Sequence, residues 1–274
     1  MNKTTRDFEV KCFMTNQDYR LRAAAFLDEA QDMALQGSDE LGFGYDKMNE
    51  HRLGWVLYRM YMKFLRPVTW RDRVTMNTWH KGMEGLVFLR DFELIAGDGE
   101  CSAVATSSWV VIDMDKRSFV RKEDYPDFIN TDPQCTESAV EFAAPKVVIP
   151  SGLEKVLARK HKVKYSDTDF NRHTNNVKYV VWALDSIDQD FVFSHPIQEL
   201  AINFNRETRL GDDVELWTAE QVTDENRVFY VEGVVDGRQV FIVKLVFGYS
   251  LRIMKAGASH DGPAFGSSMS VNGF

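Results

Sequence analysis

A repeat of about 140 residues limits the possible folds of this chain more than any other feature of its sequence. Each half contains a short strand-like segment, then a long apolar helical segment, then several segments with the alternating pattern of strands. The period is far longer than that of a solenoid, so it predicts two copies of one α+β domain. A helix with one apolar face buries that face well against a twisted antiparallel sheet.

The two halves match residue by residue at one place. Phe64 is followed eight positions later by Asp72, and Phe204 is followed at the same distance by Asp212. A strand that carries a tryptophan comes next in both halves. The repeat therefore places 64–72 and 204–212 at equivalent points of the two domains.

The hydrophobic pattern predicts the elements of each half. In the first half it predicts a strand over 8–14, a helix over 21–35 and strands near 55–65, 73–80, 87–95 and 101–113. In the second half it predicts a strand over 158–165, a helix over 175–187 and strands near 199–206, 213–221, 227–235 and 239–251.

These elements suggest four parts of the chain. We expect an N-terminal domain over 1–114, a linker over 115–152, a C-terminal domain over 153–252 and a disordered tail over 253–274. The linker is irregular and holds four prolines among Asp, Thr and Ser, while the tail is rich in Gly and Ser.

Composition and charge exclude several classes of protein. The formal net charge of -8 argues against a nucleic-acid-binding protein. Three cysteines without a C-x-x-C pair argue against a disulfide framework or a zinc site, and we expect them to be buried free thiols. No metal and no cofactor are predicted. The chain has no apolar leader and no run long enough to span a membrane, so we expect a cytoplasmic protein.

Motifs of several common enzyme classes are missing from the sequence. It has no Gly-rich phosphate loop, no G-x-S-x-G elbow and no H-E-x-x-H run. Nucleotide-dependent enzymes, elbow-type serine hydrolases and zinc peptidases are therefore disfavoured.

One polar run of the second half carries the features of a catalytic site. Asp169, Asn171 and His173 alternate, so in an extended segment all three side chains would point the same way. The next residues, 174–176, are good N-cap types, so a helix is expected to begin at once. A carboxylate, an amide and an imidazole beside a helix N-terminus suit acyl transfer, because backbone N–H groups there can hold an oxyanion.

This run resembles the signature of a known family. Asp169-x-Asn-x-His-x-Asn-Asn-Val-Lys-Tyr179, followed by Trp182, is similar to the motif of plant-type acyl-acyl-carrier-protein thioesterases and their bacterial relatives. The resemblance covers roughly 8–252. It implies an α+β double hotdog, two tandem domains each with a long helix wrapped by a twisted antiparallel sheet. It also implies hydrolysis of fatty acyl thioesters in fatty acid biosynthesis.

The resemblance assigns roles to residues of the C-terminal domain. It implies that Asp169, Asn171, His173 and Glu207 are catalytic. It also implies that Asn175, Asn176 and Val177 contact the substrate. Where the family has a cysteine after the glutamate, this chain has a threonine, so hydrolysis should rest on the Glu207 carboxylate rather than on a thiol.

The first half lacks this set of residues. Asp18, Arg20 and Arg22 are expected at the places of the Asp, Asn and His, and Pro67 at that of the glutamate. The resemblance therefore implies that the N-terminal domain is non-catalytic and shapes the acyl pocket. Candidate pocket residues are Phe26, Met33, Trp55, Tyr58, Met60 and Trp109.

Acyl carrier protein, the partner that the resemblance implies, is acidic, so a basic docking surface is expected. Basic residues cluster before and around the motif: Lys155, Arg159, Lys160, Lys162, Lys164, Arg172, Lys178, Arg206 and Arg209. Such a cluster can steer an acidic partner, although it can equally be a solvated strand face.

Other functions remain open at this point. The alternatives are an acyl-CoA thioesterase, a hotdog hydratase or dehydratase, and a non-catalytic acyl-binding protein. The two halves can pair with each other, so the chain is expected to be a monomer or a homodimer.

Overall fold

The computed structural model describes residues 3–223 and 225–248. The first half contains β1 (Thr4–Glu9), α1 (Ala23–Glu40), α2 (Tyr45–Glu50), β2 (Leu53–Phe64), β3 (Arg73–Glu84), β4 (Val87–Ala96) and β5 (Cys101–Asp113). After β6 (Ser118–Phe119), the second half contains β7 (Val156–Lys162), α3 (Asn176–Leu184), α4 (Gln189–Ser194), β8 (Ile197–Phe204), β9 (Asp213–Val222), β10 (Arg227–Val235) and β11 (Arg238–Phe247).

Across the described residues, the strands of both halves form a single antiparallel sheet. Its order is β1-β3-β4-β5-β2-β8-β11-β10-β9-β7, with β6 added beside β5. The second half repeats the order of the first in mirror sequence, and the halves join where β2 pairs with β8, from Arg59↔Asn203 to Lys63↔Glu199. This is the expected double hotdog.

The long helices of the two halves pack on the same face of the sheet. In α1, apolar side chains recur at helical spacing, and Phe26, Leu27 and Met33 are almost completely buried. Val180 and Trp182 of α3 join the same core cluster. The core is therefore shared by both halves of the chain.

Helix α1 runs five residues past its predicted end at 35. Gly37 and Ser38 resemble a stop signal, because both residues are poor helix formers. In the structure both are buried within the helix. A Cβ on Gly37 would lie 2.5 Å from Nη1 of Arg90, so the small residue allows the helix to approach the sheet. Packing, rather than helix propensity, decides where this helix ends.

Both first strands end earlier than predicted. Strand β1 ends at Glu9, and a 3-10 turn over Cys12–Met14 follows where the strand was expected to continue. In the second half, β7 ends at Lys162 and a matching turn covers Tyr165–Asp167. In both halves the chain must turn back here to enter the long helix.

The predicted linker is largely irregular, yet it packs closely on the face of the sheet opposite the long helices. The Trp79 indole donates to the carbonyl of Glu137 at 2.8 Å, and the backbone N–H of Ala139 donates to Asp91 Oδ2 at 2.9 Å. Further along, the N–H of Val147 donates to Asn203 Oδ1 at 2.7 Å. The linker therefore contacts both halves. The predicted tail over 253–274 lies outside the described residues.

The three cysteines are unpaired. Cys101 and Cys135 are only partly buried and Cys12 is exposed, so the expectation of buried thiols was wrong.

Among the described residues, no helix combines the length and the apolar character that a membrane crossing requires.

Candidate active site

The polar run of the second half forms a tight turn rather than the extended segment that was predicted. The Asp169 carboxylate closes the turn, because its Oδ1 accepts from the backbone N–H groups of Asn171 at 2.9 Å and His173 at 3.4 Å. Arg172 adopts a left-handed conformation with φ of 64°. A bridge between Thr168 and Thr174 clamps the base of the turn.

Helix α3 begins directly after this turn, as predicted. Asn175 is its N-cap, and its side chain accepts from the N–H of Val177 at 2.9 Å. Asn176 reaches across to α1, where its Nδ2 donates to Gln31 Oε1 at 2.9 Å. Among the described residues, the N–H of Asn176 has no hydrogen-bond partner, so it remains available to a ligand.

The structure brings Glu207 to the turn from a distant part of the sequence. Glu207 follows the end of β8, and its Oε2 lies 3.1 Å from Nε2 of His173. Arg209 lies next to both side chains, with its Nη2 3.7 Å from Glu207 Oε2 and 3.5 Å from His173 Nε2. About half of the Glu207 side chain is exposed, so the pair is open to substrate and water.

A buried hydroxyl network holds the backbone next to Glu207. The hydroxyls of Thr174 and Thr208 lie 2.6 Å apart, and the Tyr179 hydroxyl lies 3.0 Å from Thr208 Oγ1 and accepts from the Thr208 N–H at 3.1 Å. Burial raises the pKa of Tyr179, although the bonds with Thr208 partly oppose this. The tyrosine therefore stays neutral and acts as a fixed hydrogen-bonding group.

The carboxylate of Asp167, just before the polar run, also stabilises the entry to the turn. Asp167 Oδ2 accepts from the N–H of Lys164 at 2.8 Å and lies 2.9 Å from His161 Nε2. Burial alone would raise the pKa of Asp167, but the bonds with Lys164 and His161 outweigh it and lower that pKa. The ionised carboxylate therefore fixes the 3-10 turn that leads into the site.

The polar residues line one part of a cavity of about 730 Å³ that both halves of the chain form. The second half contributes mainly polar groups: Asp169, Asn171, His173, Thr174, Asn175, Asn176, Tyr179 and Glu207. The wall from the first half is mostly apolar: Ala34, Leu35, Phe43, Met48, Leu53, Trp55, Leu57, Phe88 and Trp109. This is the form expected of a site that binds an apolar chain next to a polar reacting group.

Of the pocket candidates from the sequence, Trp55 and Trp109 line the cavity. Phe26, Met33 and Met60 belong instead to the central core, and Tyr58 is not part of the cavity wall. Val177, predicted to contact substrate, is buried in the core as well, and its side chain is not part of the cavity wall. Hydrophobic patterns in helices and strands identify buried residues but do not separate cavity wall from core.

The first half contains the same turn, shifted by two residues from the prediction. Asn16 stands at the place of Asp169, because its Oδ1 accepts from the N–H groups of Asp18 and Arg20, both at 3.0 Å. Arg20 therefore takes the place of His173. The prediction that Asp18 stands at the place of Asp169 was wrong, because the positions of the 3-10 turns, rather than residue identity, set the alignment.

Much of the predicted basic surface is neutralised. Four of its residues on or near β7 form ion pairs: Lys155 with Glu232, Arg159 with Asp185, Lys160 with Glu215 and Lys162 with Asp213. By contrast, four other members form no ion pair with any described residue: Lys164, Arg172, Lys178 and Arg206. Uncompensated positive charge therefore remains near the turn and the cavity rather than along β7.

Sequence reasoning missed the polar residues that helix α1 of the first half contributes to the cavity. Gln31 and Asp28 of α1 line the cavity, and Gln31 bonds directly to Asn176. Burial raises the pKa of Asp28, an effect that Lys178 and Arg22 partly offset. Asp28, Gln31 and Asp32 recur at spacings of three and four on this helix, and that polar stripe was the signal that could have identified them.

Comparison with known families identifies relatives for both halves. A model described as the acyl-ACP thioesterase N-terminal domain matches residues 1–128, and one described as the acyl-ACP thioesterase C-terminal domain matches 151–246. A palmitoyl-acyl carrier protein thioesterase of Gossypium hirsutum is 28% identical over 235 residues, which is 81% of this chain and 55% of that protein. An oleoyl-acyl carrier protein thioesterase of Arabidopsis thaliana is 27% identical over 217 residues, 71% of this chain and 57% of that protein. The chain thus spans little more than half the length of these relatives.

Solved structures share the fold. An acyl-ACP thioesterase from Bacteroides thetaiotaomicron aligns with a TM-score of 0.79 at 22% identity, over 89% of this chain and 97% of that one. A 12:0-ACP thioesterase from Umbellularia californica aligns with a TM-score of 0.74 at 19% identity, over 89% of this chain and 93% of that one. At these identities the likeness shows the double hotdog fold.

Proposed function

Because the chain belongs to the acyl-ACP thioesterase family, we propose that it hydrolyses fatty acyl-acyl-carrier-protein thioesters to free fatty acid and carrier thiol. One observation carries the proposal. The His173–Glu207 pair, 3.1 Å apart, faces a cavity of about 730 Å³ whose remaining wall is largely apolar. An acyl chain fits that wall, and its thioester then lies at the polar part.

We propose that Glu207 activates a water molecule for attack on the thioester carbonyl. The water oxygen bonds to the carbonyl carbon while its proton passes to the Glu207 carboxylate. The C–S bond then breaks, and His173 delivers a proton to the leaving thiolate. The 3.1 Å contact between the two side chains supports this exchange of protons. Attack by Glu207 itself is the alternative course of the same reaction.

The remaining polar residues position the reacting groups. Free backbone N–H at the start of α3 and the Asn171 amide would hold the carbonyl oxygen as negative charge develops. Asp169 is a positioning residue, because its bonds to the N–H groups of Asn171 and His173 fix the turn that carries both side chains.

Charge at the cavity mouth supports a carrier-protein substrate. Arg172 and Arg206 are exposed beside the cavity, and the acidic carrier would approach them. The same residues would also attract the phosphates of coenzyme A, so acyl-CoA hydrolysis is the second candidate. A cytoplasmic location and a monomeric or dimeric state stay predictions.

The test is release of free thiol from acyl-acyl-carrier-protein, with wild type beside Glu207→Ala. We expect the variant to lose about 10² or more in rate, the usual loss when a general base is removed. Glu215→Ala is the matched control, because Glu215 is a strand carboxylate paired with Lys160 and is not part of the cavity wall. Equal rates from coenzyme A thioesters would favour the second candidate, and no release from either carrier would reject hydrolysis.

A further inference from the structure

A buried arginine stands in the acyl cavity, away from the proposed catalytic residues. Arg90 lies on β4, opposite His80 of β3 and Ser107 of β5. Only 6% of Arg90 is exposed, and it lines the cavity. Its neighbour two positions on, Phe92, belongs to the apolar core, so the guanidinium projects into the interior of the first domain.

The guanidinium has little compensation there. A guanidinium carries five N–H donors, and among the described residues Arg90 makes one hydrogen bond, from Nη1 to Thr78 Oγ1 at 3.3 Å. No described carboxylate lies within 4.0 Å of it. Glu40 is the nearest acidic influence, but its oxygens accept from Thr4 and Gln36 instead. Burial lowers the pKa of Arg90 to about 10, so the group stays charged at neutral pH.

The surrounding fold makes room for this cation. Gly37 of α1 stands against it, and a Cβ at that position would lie 2.5 Å from Arg90 Nη1. The last turn of α1 also presents the negative end of the helix dipole. His80, the cross-strand neighbour, has its pKa lowered to about 4 by burial and by Arg90, so it adds no second charge.

Arg90 is remote from the proposed reaction centre. The sheet runs from β4 through β5 and β2 to β8, the strand that leads to Glu207. Three strand spacings separate β4 from β8, which is roughly 14 Å. A thioester at Glu207 therefore directs the distal part of its acyl chain, and not its carbonyl, toward Arg90.

The two possible chain ends interact differently with this group. A methyl end packed against the guanidinium would leave most of its N–H donors without an acceptor in an apolar cavity, which is unfavourable. An oxygen at the chain end would accept those hydrogen bonds, and a carboxylate would also compensate the charge. An unsubstituted chain should therefore stop short of Arg90.

From this arrangement we propose that Arg90 forms an oxygen-binding subsite for the far end of the acyl chain. The substrates it favours carry a terminal hydroxyl or carboxylate. The inference rests on the proposed hydrolysis, since the reaction fixes the orientation of the chain.

The experiment compares kcat/KM for carrier-bound chains from butanoyl to hexadecanoyl with ω-methyl, ω-hydroxy or ω-carboxy ends. Beyond the length that reaches Arg90, wild type should prefer oxygenated ends over methyl ends by about tenfold, the worth of a charge-assisted hydrogen bond. Arg90→Met should remove the preference and raise hydrolysis of long methyl-ended chains, and Arg90→Lys should keep part of the preference.

The outcomes separate the subsite from the reaction. Butanoyl chains do not reach Arg90, so their hydrolysis by wild type and Arg90→Met reports the reaction alone. A preference of wild type for methyl ends at every length, with butanoyl hydrolysed, would overturn the subsite but not the thioesterase. If nothing is hydrolysed, the hydrolysis proposal fails. Binding of the methyl esters of ω-hydroxy and unsubstituted fatty acids by calorimetry then decides the subsite, because the ester removes the C1 carboxylate, and equal affinities would overturn it. Wild type alone supplies this comparison if Arg90→Met does not fold.

Discussion

The two halves contain the same turn before their long helices, but only one turn carries the proposed chemistry. Asn16 N–H donates to the Arg20 carbonyl at 2.9 Å, as Asp169 N–H donates to that of His173 at 2.9 Å. Tyr19 has a φ of 62°, close to that of the equivalent Arg172. Backbone geometry is therefore a property of the fold, and it does not by itself make a catalytic site.

The side chains around the two turns differ completely. Arg20 replaces His173 and Pro67 replaces Glu207 at equivalent backbone positions, since Leu21 and Thr174 donate to the carbonyls of Val68 and Thr208 respectively. Apolar side chains replace the buried hydroxyl network, with Leu21, Val68 and Phe26 at the places of Thr174, Thr208 and Tyr179. The second turn therefore carries the polar groups of the proposed reaction, whereas the first has apolar side chains at the places of the hydroxyl network.

The largest effect on the rate is expected from replacing His173 by arginine, the residue at the equivalent position of the first turn. His173→Arg should retain the fold, because Arg20 occupies the equivalent position, yet it should lose about 10² or more of the rate through loss of proton transfer. Thiol release measures the rate, and circular dichroism measures whether the fold is retained. Arg20→His is the matched control and should leave the rate unchanged; a His173→Arg variant within tenfold of wild type would contradict the proposed role.

The hydroxyl network of the second half can likewise be replaced by the apolar residues that the first half has at the equivalent positions. Thr208→Val, which copies Val68, should reduce the free energy of unfolding by about 1–3 kcal/mol, because the buried Tyr179 and Thr174 hydroxyls lose a partner. Adding Tyr179→Phe should cost less than the sum of the two single changes, since both remove one shared bond. Urea denaturation measures this; strictly additive losses would mean that the network is not coupled.

The charge of Asp169 can be tested separately from its hydrogen bonds. Asn16 shows that an asparagine holds this turn, so Asp169→Asn should leave the melting temperature unchanged. We expect kcat to fall about tenfold, because the substitution removes a negative charge close to the reacting groups, and fixed charges there contribute to stabilisation of the transition state. Asp169→Ala should lower both kcat and stability. Equal kcat for Asp169→Asn and wild type would restrict Asp169 to holding the turn.

A smaller effect concerns two equivalent arginines. Arg66 is paired with Asp98 at 2.7 Å, while Arg206 has no ion-pair partner among the described residues. Arg206→Ala should raise KM for carrier-bound substrate roughly threefold at low salt and leave KM for a short pantetheine thioester unchanged. Arg66→Ala is the control. A similar rise for both variants would show that docking does not use the cavity mouth.

The smallest effect is a pH dependence of stability. The pKa of Asp167 is below 3.8 in the folded protein, so its contribution is present above pH 3.8 and lost as pH falls through the folded value. The first half has Met14 at this place and has no such dependence. Asp167→Asn should therefore lose less stability than wild type between about pH 5 and about pH 3 in urea titrations; parallel losses would place the dependence elsewhere.

Much of the fold follows from local sequence patterns. Apolar spacing located both long helices and, apart from β1, nearly every long strand within a few residues, because amphipathic periodicity depends only on neighbouring positions. The start of α3 was predicted for a similar reason, since the Asn175 cap bonds a residue two positions away. The polar run of the second half was recognised from its residue types.

Local patterns gave a wrong backbone conformation where a side chain hydrogen-bonds to the backbone of nearby residues. The alternation of Asp169, Asn171 and His173 suggested an extended segment, but the Asp169 carboxylate closes a turn instead. The first-half alignment shifted by two residues for the same reason, because Asn16 fills that structural place without being an aspartate.

The sequence by itself determined that two similar α+β domains follow one another and that one polar run precedes the second helix. Only the tertiary structure decided which distant groups meet. Thr174 and Thr208 touch although 34 positions separate them, and β8 brings Glu207 to His173. Likewise, strand register places Arg90 inside the cavity. Periodicity encodes which face of an element is buried, whereas contacts between elements depend on register and packing of residues far apart in the chain.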